Sequence, residues 1–183
     1  MARKSIVAEH NGPFPIREDR RVQFEVHVAG ICVREADDHW EVLIAQRTNE
    51  RHLYPGKWEC GGGRVNDGEG FNDAIKRQIF EEFGLDVDPI DLLETYEIPV
   101  PGQKRVIAGL RFLCMADYGA VRLNQREFTR YNWVGFPVPT GLDWIEGVKK
   151  ILDVLGPQLT RRVERKAPDS ERGPTSLPST AVH

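Results

Sequence analysis

Trp58-Glu-Cys-Gly-Gly-Gly-Arg-Val-Asn-Asp-Gly-Glu-Gly-Phe-Asn-Asp-Ala-Ile-Lys-Arg-Gln-Ile-Phe-Glu-Glu-Phe-Gly-Leu85 carries three successive glycines into a polar loop and then into a helical pattern. Gly61, Gly62 and Gly63 have no side chains, so an anionic ligand or a metal ion can approach the backbone closely. The spacing predicts a helix over Phe71 to Phe83, stopped by Gly84. On it Gln78, Glu81 and Glu82 stand three and four positions apart and share one surface. Ile75, Ile79 and Phe83 form the adjacent row, about 100° round the helix, and are predicted to bury against a sheet. Polar groups are thereby held at the rim of a packed core. With Glu69 in the preceding loop, the cluster is rich in hard oxygen donors that a divalent cation would satisfy.

Outward from this segment, strand and helix signals alternate. Val22 to Val33 and Trp40 to Gln46 read as a hairpin across the polar turn Glu35 to His39. Leu92 to Val100 and Arg105 to Met115 repeat that logic, and Tyr131 to Gly135 is a short strand. Trp144, Val148, Ile151 and Leu155 recur at spacings of three and four, predicting a closing amphipathic helix. Mixed strands with two separated helices predict an α/β fold, a sheet covered by a helix on each side. The expected organisation is an arm over residues 1–20, a domain over 21–158, and a disordered polar tail over 159–183. In that tail Arg161, Arg162, Arg165, Lys166 and Arg172 outnumber Glu164, Asp169 and Glu171.

Composition narrows the classes. The 183 residues suffice for one domain with a core but not for two ordinary ones. No apolar run approaches the roughly 18–20 residues of a membrane helix, and the first ten residues lack the apolar block of a secretory signal. Cys32, Cys60 and Cys114 are odd in number and far apart, which predicts a reducing cytoplasm rather than a disulfide framework. A net charge of −3 disfavours nucleic acid as a bulk partner.

Gly63, Glu69, Arg77, Ile79, Glu81, Glu82, Gly84 and Leu85 match the pattern G-x5-E-x7-R-E-U-x-E-E-x-G-U, where U is aliphatic. This resembles the signature of the Nudix superfamily, and the likeness extends over about Val22 to Leu155. The resemblance implies an α/β/α sandwich around a mixed sheet. It also implies hydrolysis of a diphosphate linkage in a nucleotide or nucleoside diphosphate derivative, with Mg²⁺ or Mn²⁺. The substrate is then a small nucleotide, with no membrane partner; a homodimer is one assembly it allows.

By that resemblance Glu81 and Glu82 ligate the metal beside the backbone carbonyl of Gly62, and Glu69 assists the metal or holds Arg77. Arg77 orients the glutamates, and Glu127 is a loop carboxylate that supplies a ligand or the base. Arg47, at the end of the second strand, either faces phosphate oxygens beside Gly61 to Gly63 or is an exposed strand-end arginine. One position departs from the pattern. Gln78 stands where the signature has glutamate, and a carboxamide neither titrates near neutral pH nor binds metal strongly. Either Glu127 or another loop carboxylate is the base, or the domain binds nucleotide without efficient turnover, as a sensor or regulatory module.

Isopentenyl diphosphate isomerases share the Nudix fold and use a cysteine, but Trp58-Glu-Cys60-Gly sets up no activated thiolate, and Cys60 reads as a small buried residue. His27, His39 and His52 show no ligand spacing and receive no role. Trp58 and Trp133 read as core, while Tyr54 and Phe24 are both candidates for stacking on a base. Pro101, 16 residues beyond Leu85, lies near the proline of ADP-ribose hydrolysing members, but Pro101-Gly102 is also an ordinary turn pair.

Overall fold

The computed structural model describes residues 24–166, with side chains through Thr160. The hairpin forms from β1 (Val26–Ala36) and β2 (His39–Arg47). Ala36 pairs with His39, so the turn is only Asp37-Asp38, tighter than the sequence suggested. Asp37 takes a φ of 48° there, a conformation that aspartate tolerates better than most residues. Beyond it come β3 (Trp58–Glu59), β4 (Gly62–Arg64), α1 (Phe71–Phe83), β5 (Val87–Pro99), β6 (Val106–Ala116), β7 (Phe128–Gly135) and α2 (Val148–Lys166). The sheet runs β3-β2-β1-β6-β5, with β4 added to β1 and β7 to β2. β1 pairs in parallel with β6 and antiparallel with β2 and β4, so the sheet is mixed as expected.

Alternation along β1 divides the core. Val28 and Cys32 face α1, where Ala74, Ile75, Ile79 and Phe83 are fully buried against them. Ile31 and Val33 face the other way, onto Val148, Leu152, Leu155 and Leu159 of α2. The helix–sheet–helix layering is therefore the predicted one. Truncating Ile79 to alanine should cost about 2–5 kcal/mol, read from urea unfolding, because a fully buried branched side chain leaves a cavity at the centre of the α1 layer.

Four boundaries differ from the sequence reading. β5 begins at Val87 and β7 at Phe128, earlier than expected, because polar residues on their outer faces mask the strand pattern. Trp144 is not part of the closing helix. It forms an isolated bridge with Trp58, and Ile145 N–H donates to the Trp58 carbonyl at 3.0 Å. The helix also continues through Pro157 to Lys166, past the boundary drawn at 158. Leu152, Leu155 and buried Leu159 keep one apolar face across the proline, and that packing outweighs the single lost hydrogen bond. The predicted arm over 1–20 and the tail from 167 onward lie outside the described residues. Among the described residues no helix is long and apolar enough to cross a membrane.

Candidate active site

α2 covers only part of its side of the sheet. The remainder, at the N-terminal end of β1, forms the floor of a cavity of about 500 Å³ that reaches the triple-glycine bend. β4, β1, β6 and β5 lie side by side here. Gly62, Ala29, Arg111 and Glu94 form one row across them, and Arg64, His27, Gly109 and Tyr96 form the next.

The glycines bring α1 to this bend. Gly61 and Gly62 adopt φ values of 93° and 141°, and a Cβ on Gly61 would stand 2.6 Å from Glu82 Oε2. Gly62 N–H donates to Glu82 Oε2 at 2.8 Å. The Gly62 amide is thereby tied to this carboxylate. A Cβ on Gly63 would overlap the Gln78 carboxamide, whose Nε2 donates to the Arg64 carbonyl at 3.2 Å.

Glu81 and Glu82 do not share an environment, although they adjoin in sequence. Glu82 is 5% exposed, and no Arg or Lys of the described residues stands within ion-pair distance of it. Burial first, then the nearby charge of Glu59, pushes its carboxyl well above the usual carboxylate range, with Glu127 adding to the effect. The Gly62 amide and the charge of Arg47 act in the opposite sense. Glu81 is open to solvent and 3.3 Å from Arg77. Arg77 also forks onto Glu69 at 2.7 and 2.8 Å, and Glu69 accepts the Asn66 N–H at 2.9 Å. These contacts hold the Glu69 carboxyl down at about 2. Of the two roles expected for Glu69, the geometry has it holding Arg77.

The loop after β6 closes on the exposed carbonyls at the end of α1. Arg122 N–H donates to the Phe83 carbonyl at 2.7 Å, and Asn124 N–H to that of Glu82 at 2.8 Å. Glu127 follows directly; its carbonyl accepts Thr48 N–H and its carboxylate pairs with Arg51. Arg47 is buried, which removes the exposed strand-end alternative. It pairs with Glu59, donates to the Leu53 carbonyl at 3.0 Å, and lines the cavity with Arg51.

Several lining residues escaped the sequence reading. Glu59 sits inside the segment quoted first but lies outside the signature pattern. Arg111 and His27 were legible as isolated polar residues in otherwise apolar strands. His27 Nδ1 lies 2.6 Å from the Tyr96 hydroxyl. Burial, with Arg47 and Arg111 nearby, holds the imidazole down at about 4, so it is neutral at pH 7. Burial pushes the Tyr96 phenol up, so it too is neutral. Tyr54, with a φ of 53°, lines the cavity, whereas Phe24 is exposed outside it. The Cys60 thiol is pushed up to about 12 by burial, which leaves no thiolate for isomerase-type chemistry.

An oxygen-only donor set suits a hard divalent cation, and Glu82 fits one: it is a buried carboxylate with like charges nearby and no paired cation. Glu81 lies one residue away with its other face open, whereas Glu69 is committed to Arg77. Among the described residues no group of three His, Cys, Asp or Glu side chains is close enough to enclose an ion.

Comparison with known proteins identifies the family. The NUDIX domain family matches residues 24–144. The chain belongs to the Nudix family, and its α/β/α sandwich is the fold of that family. It is 40% identical over 73 residues to an 8-oxo-dGTP diphosphatase of Proteus vulgaris, a match covering 39% of this chain and 61% of that protein. It is 30% identical over 101 residues to the nucleoside triphosphatase NudI of Escherichia coli, covering 50% of this chain and 71% of that one. Among solved structures, a C. elegans Ap4A hydrolase superposes with a TM-score of 0.61 at 18% identity, covering 74% of this chain and 98% of that chain. The NUDIX domain of Shewanella oneidensis NrtR, complexed with ADP ribose, superposes with a TM-score of 0.60 at 14% identity over 76% and 90% of the two chains.

Proposed function

We propose that this protein hydrolyses a diphosphate linkage in a nucleotide, either a nucleoside triphosphate or a nucleoside diphosphate derivative, with a divalent cation at Glu82. The observation that carries this is the meeting, at one glycine bend, of a buried carboxylate lacking a counter-charge and a cavity lined by Arg47 and Arg51. The names of the two similar proteins, an 8-oxo-dGTP diphosphatase and a nucleoside triphosphatase, support the reading.

Glu82 and Glu81 would hold the cation, Mg²⁺ or Mn²⁺, and Arg77 fixes the Glu81 carboxylate from one side. Bound there, the cation supplies charge neutralisation and Lewis acidity. The bare backbone of Gly61 to Gly63 lets phosphate oxygens come close. Arg47 and Arg51 each spend part of the guanidinium on a carboxylate and keep N–H donors for those oxygens. Glu127, carried beside Glu82 by the loop, takes the proton of the attacking water in place of position 78.

A second reading, nucleotide binding without efficient turnover, is favoured by one observation. Gln78 uses its amide N–H to cap the Arg64 carbonyl, a bond that a carboxylate cannot make. A panel of nucleoside triphosphates and nucleoside diphosphate derivatives, assayed with Mg²⁺ or Mn²⁺ for released phosphate or pyrophosphate, separates the two. Turnover is expected, with Glu127→Gln lowering it by about 10²-fold or more. Gln78→Glu should change the rate by less than an order of magnitude, since the proton goes elsewhere. A tenfold rise in that variant would move the base to position 78. Nucleotide affinity with no turnover across the panel would favour the second reading.

A further inference from the structure

We propose that Arg111, laid on the ring of Tyr96 at the floor of the cavity, is the nucleobase-reading residue of this protein and selects guanine over adenine. The proposal rests on the nucleotide reading above and assigns the base end of the ligand.

The glycine bend and Arg111 lie in the same row of the sheet, with Ala29 between them: Gly62 pairs with Ala29, and Ala29 with Arg111. Two strand spacings, about 10 Å, therefore separate the glycine bend from the Arg111 backbone, whose guanidinium turns toward Tyr96 and Glu94 on β5, a separation suited to a nucleoside. The surroundings change over that distance. Near Gly62 the lining includes Arg47, Arg51 and Glu59, whereas the paired Ile98 and Ile107 add apolar lining on β5 and β6 beside Tyr96, as suits a planar base rather than phosphate.

Arg111 is built into place. Gly109 precedes it on the same face of β6, and a Cβ there would stand 2.7 Å from Tyr96 Cδ2 and closer still to Cε2 and Cζ. Glycine lets Tyr96 lie across β6, which carries its hydroxyl to His27 and turns its ring under the Arg111 guanidinium, 4.5 Å from the ring centroid. Glu94, opposite Arg111 on β5, pairs with Nη1. No other acceptor among the described residues reaches the guanidinium, which is 7% exposed and lines the cavity. An arginine this buried keeps N–H donors that have no protein partner.

Those donors define the ligand edge. A guanidinium offers a rigid fork of N–H groups and accepts nothing, so it matches two acceptors side by side. Guanine presents such a pair at O6 and N7, whereas adenine places an amino group at the O6 position. Glu94 already balances the charge of Arg111, so the residue contributes direction rather than net attraction for phosphate.

Calorimetric titration of the full-length protein with GMP, AMP and 2-aminopurine riboside monophosphate tests this. Monophosphates contain no diphosphate linkage, so the result does not depend on whether the protein is a hydrolase. GMP should bind about tenfold more tightly than either purine lacking O6. Arg111→Gln should bring the three affinities together by weakening GMP alone, and Arg111→Lys, which keeps the charge without the fork, should restore little of the preference. Circular dichroism verifies the fold of each variant. If Arg111→Gln does not fold, Glu94→Gln, at a half-exposed position, serves instead and should lower the preference by loosening the fork. Equal affinities in the wild type, an adenine preference, or a preference unchanged in the variant measured would overturn the proposal while leaving nucleotide binding intact. No binding of any of the three would overturn it together with the nucleotide reading.

Discussion

Glutamine at position 82 is expected to reduce turnover by about 10³-fold or more and, in buffer free of divalent cations, to leave a more stable protein than the wild type. The two effects have one cause. Glu82 is buried among like charges, and its carboxyl is raised above the ordinary value of 4.5. The folded state therefore binds its proton more tightly than the unfolded state does. As pH rises past 4.5 the unfolded chain releases that proton first, so this group withdraws stability at neutral pH. Glutamine has no such titration, and its carbonyl oxygen can still accept the Gly62 N–H. Thermal melts without cation should thus coincide for the two proteins below pH 4.5 and diverge above it, with the variant ahead by about 0.5–2 kcal/mol at pH 7. Mg²⁺ or Mn²⁺ should then reverse the order. A cation that binds the folded wild type raises its melting temperature by mass action, and the variant should respond weakly. A wild type whose melting temperature is indifferent to millimolar Mn²⁺ would remove Glu82 as the cation site, whatever the assay of turnover shows.

How much of this was legible in the sequence depends on how local the determinants are. The limits of α1 were read to the residue, because Gly84 ends it and Ile75, Ile79 and Phe83 mark its buried row within three turns. The layering followed from the same periodicity. The distinction between Glu81 and Glu82 was not legible: both lie on the outward side of the pattern, and only the path of the glycine bend decides that Glu82 is enclosed while Glu81 meets Arg77. Arg47 was singled out from its place at the end of the second strand, and it lines the cavity, but its partner Glu59 was not foreseen. That pairing depends on β2 and β3 lying side by side, with Ala45 opposite Glu59. The floor of the cavity was hidden for a similar reason. His27, Tyr96 and Arg111 come from three strands, and no local spacing reports that β1 and β6 pair in parallel and bring them together. The boundary drawn at 158 fell inside the closing helix, because a polar local composition does not report that Leu155 and Leu159 are buried on either side of Pro157.

Alanine at Gly62 is expected to be the most damaging single methyl group that can be added to the bend. Its φ of 141° already lies where side chains are rarely found, and the new Cβ would stand 2.7 Å from Ala29 Cα and closer to the Val28 carbonyl oxygen. Both obstacles are backbone atoms of β1, the strand that holds β2, β4 and β6 together, so neither can swing aside as a side chain would. Relief requires β4 to part from β1. That would break the pairing of Gly62 to Arg64 with His27 to Ala29 and withdraw the amide from Glu82. The expected loss is about 3 kcal/mol or more, read from urea unfolding, together with loss of turnover. Gly68 provides the control. Its φ of 76° is also left-handed, but a Cβ there meets nothing within 4 Å, so alanine should cost only about 1–2 kcal/mol and spare activity. Equal losses at the two positions would mean that backbone conformation alone explains both. A loss confined to Gly62 would trace the requirement to the close packing of the bend on β1, the contact that sets the Gly62 amide against Glu82.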